Sequence, residues 1–284
     1  MRPLVLPYPN IDPVALALGP VEIKWYGLAY VAGLLLGWLY LKRLVADDRL
    51  WPYGRPAFAA DFADDLFIWV AIGVVVGGRM GHFLLYEPHL FFTAPLEIFA
   101  IWKGGMAFHG GLVGTILAIW LFARRRKVAT LTVMDLVAAS VPFGLFFGRI
   151  ANFINAEVVG RETTVPWAMS FCNETVRRSY QGVCPYGDVP RHPSQLYEAA
   201  LEGLATFLIL RWLTHHREAL GSPGLVGGAF LISYGAFRLL CELFKFDEYR
   251  VFGTLNVTTG FLYCVPMILV GALMMRMARP GIRQ

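Results

Sequence analysis

Seven stretches of this 284-residue sequence are apolar over roughly the length that crosses a lipid bilayer, and no other feature limits the fold as strongly. They run Lys24–Leu41, Leu66–Tyr86, Met106–Ala123, Leu136–Ile150, Leu196–Leu213, Leu225–Phe244 and Gly260–Met277. Inside a bilayer every backbone N–H and C=O has to be satisfied within the protein, so consecutive segments of this kind are helices packed on one another. Composition agrees: 57% of residues are hydrophobic and 16% charged, against about 25% charged in soluble domains. The expected fold class is all-α, a polytopic membrane helix bundle of about seven transmembrane helices. Leu136–Ile150 is expected to be the weakest span, because it is short and Pro142 interrupts it. The leading MRPLVLPYPNIDP has neither an apolar core nor a small-residue cleavage site, so the first span is expected to be retained.

Lysine and arginine set the orientation. With the N-terminus outside, the inner segments carry Lys42, Arg43, Arg49, Arg55, Arg124, Arg125, Arg126, Lys127, Arg211, Arg217, Arg276, Arg279 and Arg283. The outer segments, much longer in total, carry Arg2, Lys24, Lys103, Arg161, Arg177, Arg178, Arg191, Lys245 and Arg250. The bias predicts N-out and C-in. The net charge of +5 then reads as a topology signal with some attraction to anionic membrane lipids, and no nucleic acid is needed to explain it. Residues 1–284 are expected to form a single integral membrane domain with an extramembrane head inserted at about 153–193, rich in proline, glycine and polar residues. Cys172 and Cys184 share that outer segment, where an oxidising compartment permits a disulfide or leaves both thiols free. Cys241 and Cys264 fall in spans and read as packing residues. The four cysteines show no metal-ligand or redox spacing, and no cofactor or metal is expected.

An ionisable side chain at mid-bilayer costs at least about 2.5–3.5 kcal/mol, so each one invites a functional question. Here they gather in one leaflet. Tyr26 opens the first span, His109 the third, Arg149 and Asn152 close the fourth, and Tyr234, Arg238 and Glu242 share a face of the sixth at i, i+4 and i+8. Arg79, His82 and Tyr86 make a comparable row on the second. Each has a purely structural reading: Arg238 with Glu242 is a possible self-satisfied pair, His109 an interface residue, and Glu198 and Glu202 bonds to neighbouring helices. Glycines four apart (Gly73, Gly77 and Gly81; Gly33 and Gly37; Gly110 and Gly114) permit close helix approach. Next to His109, Gly110 and Gly111 fit either packing or a backbone brought close to a ligand. Convergence favours function, because guanidinium groups in an apolar setting suit a phosphate, which they bind bidentately while staying charged. An anionic phospholipid headgroup is the nearest abundant candidate.

The sequence has no G-x-S-x-G elbow, Walker loop, H-E-x-x-H or aspartate-rich magnesium motif. An enzyme built this way takes its nucleophile from a substrate. The alternative is a transporter or flippase for an anionic solute or phospholipid, which predicts repeats, acidic coupling residues and broken helices at the midplane; none stands out in the sequence.

The segment GRIANFINAEVVGR, Gly148 to Arg161, is similar to the signature G-R-x-x-N-F-x-N-x-E-x-x-G-R of the prolipoprotein diacylglyceryl transferases. WYG at Trp25, GGR at Gly77, FHGG at Phe108, RHPSQLYEA at Arg191 and YGAFR at Tyr234 resemble further family segments in the same order, so the resemblance covers nearly the whole chain. It implies seven spans, an outward N-terminus and an extramembrane head in a bacterial inner membrane, with the C-terminus cytoplasmic. It also implies a reaction: the diacylglyceryl group of phosphatidylglycerol passes to the lipobox cysteine of a preprolipoprotein signal peptide, forming a thioether and releasing glycerol phosphate.

By the same resemblance Arg149 and Arg238 bind the phosphate and stabilise the leaving group. Tyr26, Asn152, Glu157 and Gly160 match residues important for activity, and Tyr234, Glu242 and Arg79 are expected to line the phosphatidylglycerol site. A thiol with an ordinary pKa near 8.5 attacks as thiolate, and the imidazole of His109 is a candidate base. An arginine field that lowers the thiol pKa is the alternative. Two positions depart from the family pattern. His82 stands where a tyrosine is common, and Lys245 stands in place of an arginine, keeping the charge but losing the planar fork.

Overall fold

The computed structural model describes residues 5–19, 21–52, 58–59, 61–100, 104–246, 250–251 and 257–279. Of the basic residues that set the orientation, Arg2, Arg55, Lys103 and Arg283 lie outside them. The chain is dominated by helices: α1 (Trp25–Ala46), α2 (Phe62–Leu85), the short α3 (Leu90–Thr93), α4 (Phe108–Arg126), α5 (Thr130–Ile154), the short α6 (Glu174–Ser179), α7 (Ser194–Glu198), α8 (Thr206–His216), α9 (Leu225–Glu242) and α10 (Thr259–Met277). A π-helical segment, Ala199–Ala205, joins α7 to α8 into one rod.

Five of these, α1, α2, α5, α9 and α10, are long and apolar enough to cross a membrane. Their large apolar side chains face outward: in α10 only 11% of the apolar window is buried within the protein. That is how a chain looks when lipid is its solvent, and the protein is a multi-pass membrane protein. The expected spans at Met106–Ala123 and Leu196–Leu213 are helical but fall short of the same measure. Three consecutive arginines close α4, and the π segment divides the other rod.

The expectation for the Pro142 segment is corrected. α5 is the longest helix, 25 residues, and runs through Pro142. A proline inside a buried helix is tolerated where packing re-satisfies the freed carbonyl region, and α5 packs against α1, α4, α7, the π segment, α8 and α9. It is the central post.

Glycine determines how closely the others approach. A Cβ on Gly77 would stand 2.4 Å from the Gly110 carbonyl oxygen, and one on Gly114 would meet the Gly73 oxygen still closer, so α2 and α4 touch backbone to backbone. Gly33 meets Gly144 in the same way, holding α1 on α5. At the end of α1 that follows Gly37, Asp64 of α2 accepts from Trp38 Nε1 at 2.9 Å and pairs with Lys42 at 3.0 Å. The main apolar core lies toward this same end, around Leu44, Phe62, Leu66, Phe122, Leu136 and Leu210. Buried Asp135 of α5 accepts N–H groups of Gly224 and Gly227 at 2.7 Å each, capping the N-terminus of α9.

Between α5 and α7 lies a small segment with its own core of Tyr8, Phe153, Ala156, Val159, Phe171 and Val176. Strands β1 (Leu6–Pro7), β4 (Met169–Ser170) and β5 (Pro190–Arg191) form its sheet, β1 parallel and β5 antiparallel to β4. The remaining strands, β2 (Val14–Leu18) with β3 (Val21–Lys24) and β6 (Arg250–Val251) with β7 (Val257–Thr258), form two hairpin-like pairs. Cys172 and Cys184 are joined in a disulfide across α6. Tyr8 ties the start of the chain to this core, its hydroxyl donating to the Phe153 and Ile154 carbonyls at 2.6 and 2.7 Å.

Candidate active site

Arg149, near the end of α5, comes out of the bundle beside the α7–π rod. Its Nε lies 2.8 Å from Glu198 Oε2 and its Nη2 3.2 Å from Glu202 Oε2. Arg238 of α9 approaches the same carboxylates from the other side, Nη1 standing 3.0 Å from Glu198 Oε1 and 3.4 Å from Glu202 Oε1. Lys245 Nζ lies 3.7 Å from Glu198, and Glu242 lies 3.6 Å from Arg238. Glu198 and Glu202 are fully buried, while Arg149 and Arg238 keep 19% and 17% of their side chains exposed. Glu198 closes α7 and Glu202 sits in the π segment, a departure from α-helical phase that recurs at functional sites.

The electrostatics follow from this count of charges. Three cations and three carboxylates share one apolar neighbourhood, so no member is a buried unpaired charge, which would cost several kcal/mol. The glutamates hold the guanidinium planes from behind. Among the described residues Arg149 Nη1 makes no hydrogen bond, so N–H donors remain for an incoming anion. The self-satisfied Arg238–Glu242 pair weighed from sequence is the longest contact Arg238 makes; its principal partners lie on another helix.

The segment 148–161 builds the rim. Asn152 Nδ2 donates to Glu157 Oε2 at 3.3 Å, and the Glu157 carbonyl accepts from buried Gln195 at 2.6 Å. Ala156 and Val158 flank Glu157 with φ of 55° and 54°, a left-handed conformation costly for a β-branched residue. Gly160 and Arg161 then lie along the C-terminal end of α9: Arg161 N–H donates to the Phe244 carbonyl at 2.9 Å and its Nε to that of Lys245 at 2.8 Å. Arg161 Nη2 also donates to the Glu242 carbonyl at 3.4 Å, a helix-end acceptor of the kind that a cation satisfies. A Cβ on Gly160 would meet the His192 and Phe244 carbonyl oxygens at 2.5 and 2.6 Å, so its glycine requirement is a packing one.

Tyrosines border the cluster on two sides. Tyr26 reaches Tyr30 hydroxyl to hydroxyl at 3.4 Å, and Tyr30 lies within electrostatic range of Arg149 and Glu157. Tyr234 on α9 has Glu202, Arg238 and Arg149 as charged neighbours and stacks on Phe230. So Tyr26, Arg149, Asn152, Glu157, Tyr234, Arg238 and Glu242 form one region, with Gly160 at its edge. Two expected residues stand apart. Arg79 is buried and donates all five guanidinium N–H groups to backbone carbonyls, those of Glu97, Ile98, Ala100, Gly104 and Gly105; it has no donor left for a phosphate and instead ties residues 97–100 and 104–105 to α2. His109, at the start of α4, is exposed, with its ring 5.7 Å from Tyr263 of α10, and contacts none of the clustered charges among the described residues.

Sequence reasoning missed Tyr30 and Gln195, and the arginine–glutamate partnership itself. Tyr30 follows Tyr26 by one helical turn, a signal that was available. Outside the spans, the Nδ1 of His192 lies 3.1 Å from the Tyr197 hydroxyl. Burial, with the nearby Arg161 charge, holds the His192 pKa below its ordinary value.

The family model for prolipoprotein diacylglyceryl transferase matches residues 13–277. The chain belongs to that family. It is 50% identical over 267 residues to the phosphatidylglycerol–prolipoprotein diacylglyceryl transferase of Phenylobacterium zucineum, covering 94% of this chain and 92% of that one. The enzymes of the same name from Mesorhizobium japonicum and Sinorhizobium medicae are 46% and 47% identical, over 97% and 95% of this chain and 93% of each relative. Family membership covers the signature segment and every charged residue of the cluster.

Proposed function

We propose that this protein transfers the diacylglyceryl group of phosphatidylglycerol to the cysteine thiol of a prolipoprotein lipobox. The observation that carries the reading is the Arg149–Arg238 pair, fixed by Glu198 and Glu202 while both side chains stay partly exposed and Arg149 Nη1 makes no hydrogen bond among the described residues. The transporter alternative has no comparable support, since the relatives that match nearly the whole chain are named as transferases.

In the reaction the peptide's thiolate sulfur attacks the glyceryl carbon bonded to the phosphate oxygen. A carbon–sulfur bond forms, the carbon–oxygen bond breaks, and glycerol phosphate leaves with the bonding electrons and the added negative charge. Arg149 and Arg238 stabilise that charge without moving, since their carboxylate partners orient them in advance. The thiol proton goes to a base or to solvent. His109 is the candidate base from the α4 side, and a thiol pKa lowered by the field of the two arginines is the alternative. Asn152, Glu157, Tyr26, Tyr234 and Glu242 bound the headgroup. Arg79 acts by position, tying the carbonyls of 97–100 and 104–105 to α2 just ahead of His109, and Gly160 by allowing the rim to close on α9.

The same reading makes α4 and the α7–α8 rod membrane spans, seven in all, in a bacterial inner membrane with the N-terminus outside. The 153–193 segment is then an extramembrane head above the site. The test combines purified protein, phosphatidylglycerol vesicles and a lipobox peptide, read as the diacylglyceryl mass increase on the peptide. Wild type is expected to produce it and Arg149→Ala to lose it; full activity in Arg149→Ala overturns the phosphate role. An unchanged rate in His109→Gln from about pH 6 to about pH 9 removes that residue as the base.

A further inference from the structure

The junction of α1, α2 and α5 holds an apolar groove of about 320 Å³. It exists because small residues bring α1 and α5 into contact. A Cβ on Gly33 would stand 2.9 Å from Gly144 Cα and one on Gly37 3.3 Å from the Ser140 oxygen, so no side chain fills the level between them. Leu34, Leu66, Val141 and Leu145 wall it. At one end Leu41 and Trp38 line it, and there Asp64 pins α2 to α1 through Trp38 and Lys42. At the other end stands Tyr30, 3.4 Å from the Tyr26 hydroxyl and within electrostatic range of Arg149. Asp64 thus bridges α1 and α2 at the end away from the charged cluster, and the Tyr30 end lies beside Arg149.

Its length agrees with one particular occupant. Tyr30 to Leu41 is about 16 Å at 1.5 Å of rise per residue, and half of a hydrocarbon core of ~30 Å is about 15 Å. That is the depth one acyl chain covers in its own leaflet. We infer that this groove seats one acyl chain of the phosphatidylglycerol whose phosphate rests on Arg149, and that its end at Trp38 and Leu41 limits the chain length transferred. The inference rests on the transferase reading and adds a determinant of lipid selectivity to it. Lipid tails are as apolar as the groove, so seating a chain there gains little over the bilayer. What the groove supplies is registration: a chain too long for it holds the phosphate away from Arg149, and the penalty falls on kcat/KM. A second groove, between α2 and α4, is larger at about 540 Å³, but it opens at His109 and not at the arginines, so it offers no anchor for the phosphate.

Two experiments test this. In the first, wild-type protein in bilayers is given phosphatidylglycerol with a photoreactive group at the chain terminus, and the labelled peptides are mapped. Labels in 33–41 and 137–145 support the assignment; labels confined to α4 and to the α2 positions facing it overturn it. In the second, the ratio of kcat/KM for short-chain over long-chain phosphatidylglycerol is measured. Val141→Trp, which fills the groove midway, is expected to raise that ratio about tenfold, and Val113→Trp in the other groove to leave it unchanged. A wild-type ratio in an active Val141→Trp enzyme overturns the inference while the transferase reading stands. Absence of transfer by wild type with any phosphatidylglycerol is the separate failure of the reading beneath it. The labelling result decides the matter even where Val141→Trp does not fold.

Discussion

Arg149 is both a stability element and the proposed phosphate ligand, so its substitutions separate two effects. Arg149→Ala leaves Glu198 and Glu202 with one fewer buried partner; a loss of about 3–5 kcal/mol is expected, visible as a lower unfolding temperature in detergent, together with a rate loss of at least about a hundredfold. Arg149→Lys keeps the charge and restores most of the stability, but not the rate, because the planar fork is gone. His192 gives a pH signature. Its depressed pKa means that, between the folded value and the ordinary value near 6.5, the unfolded chain binds a proton that the folded chain does not. The stability it supports is complete above about pH 6.5 and falls as the pH drops toward the depressed value. The Gly160 amide, which donates to the His192 carbonyl at 3.0 Å, is expected to exchange faster in that window, and His192→Phe to abolish the dependence.

Val158 and Gly160 belong to one loop and predict opposite outcomes. Val158→Gly relieves a left-handed β-branched residue and is expected to stabilise by about 1 kcal/mol, net of the extra chain entropy glycine brings. Gly160→Ala forces two carbonyls apart and is expected to cost about 1–3 kcal/mol. Chemical denaturation of the detergent-solubilised protein measures both. At this scale much was legible in the residues. Among the described residues, apolar runs located the five helices long and apolar enough to cross a membrane and two further helical segments that fall short of that measure, and i, i+4 spacing put Tyr234, Arg238 and Glu242 on one face. Pro142 misled because a helix-breaking residue was weighed without the neighbours that surround α5. Arg79 misled because a guanidinium in a membrane span reads the same whether it faces a ligand or five backbone carbonyls; only the placement of the carbonyls of 97–100 and 104–105 distinguishes them. The pairing of Arg149 and Arg238 through Glu198 and Glu202 depends on three helices meeting, and no local pattern encodes that meeting.

Across the whole molecule, the disulfide braces the segment that lies between α5 and α7. Cys172–Cys184 closes a short loop around α6, and Cys172→Ser with Cys184→Ser is expected to weaken the 153–193 segment by about 2–4 kcal/mol, read as increased protease cleavage there with the helices left intact. The charge cluster bears on how the protein is made. Its members are synthesised in chain order: Arg149, then Glu198 and Glu202, then Arg238 and Glu242, with Lys245 last. The α7–π rod brings two negative charges to the one positive charge already waiting, α9 adds one of each sign and Lys245 restores neutrality, so the running total never departs from zero by more than one unit. A nascent chain halted before α9 carries two glutamates against a single arginine. Such intermediates are expected to be degraded faster than chains halted after Lys245, which pulse-chase labelling of arrested chains in cells measures.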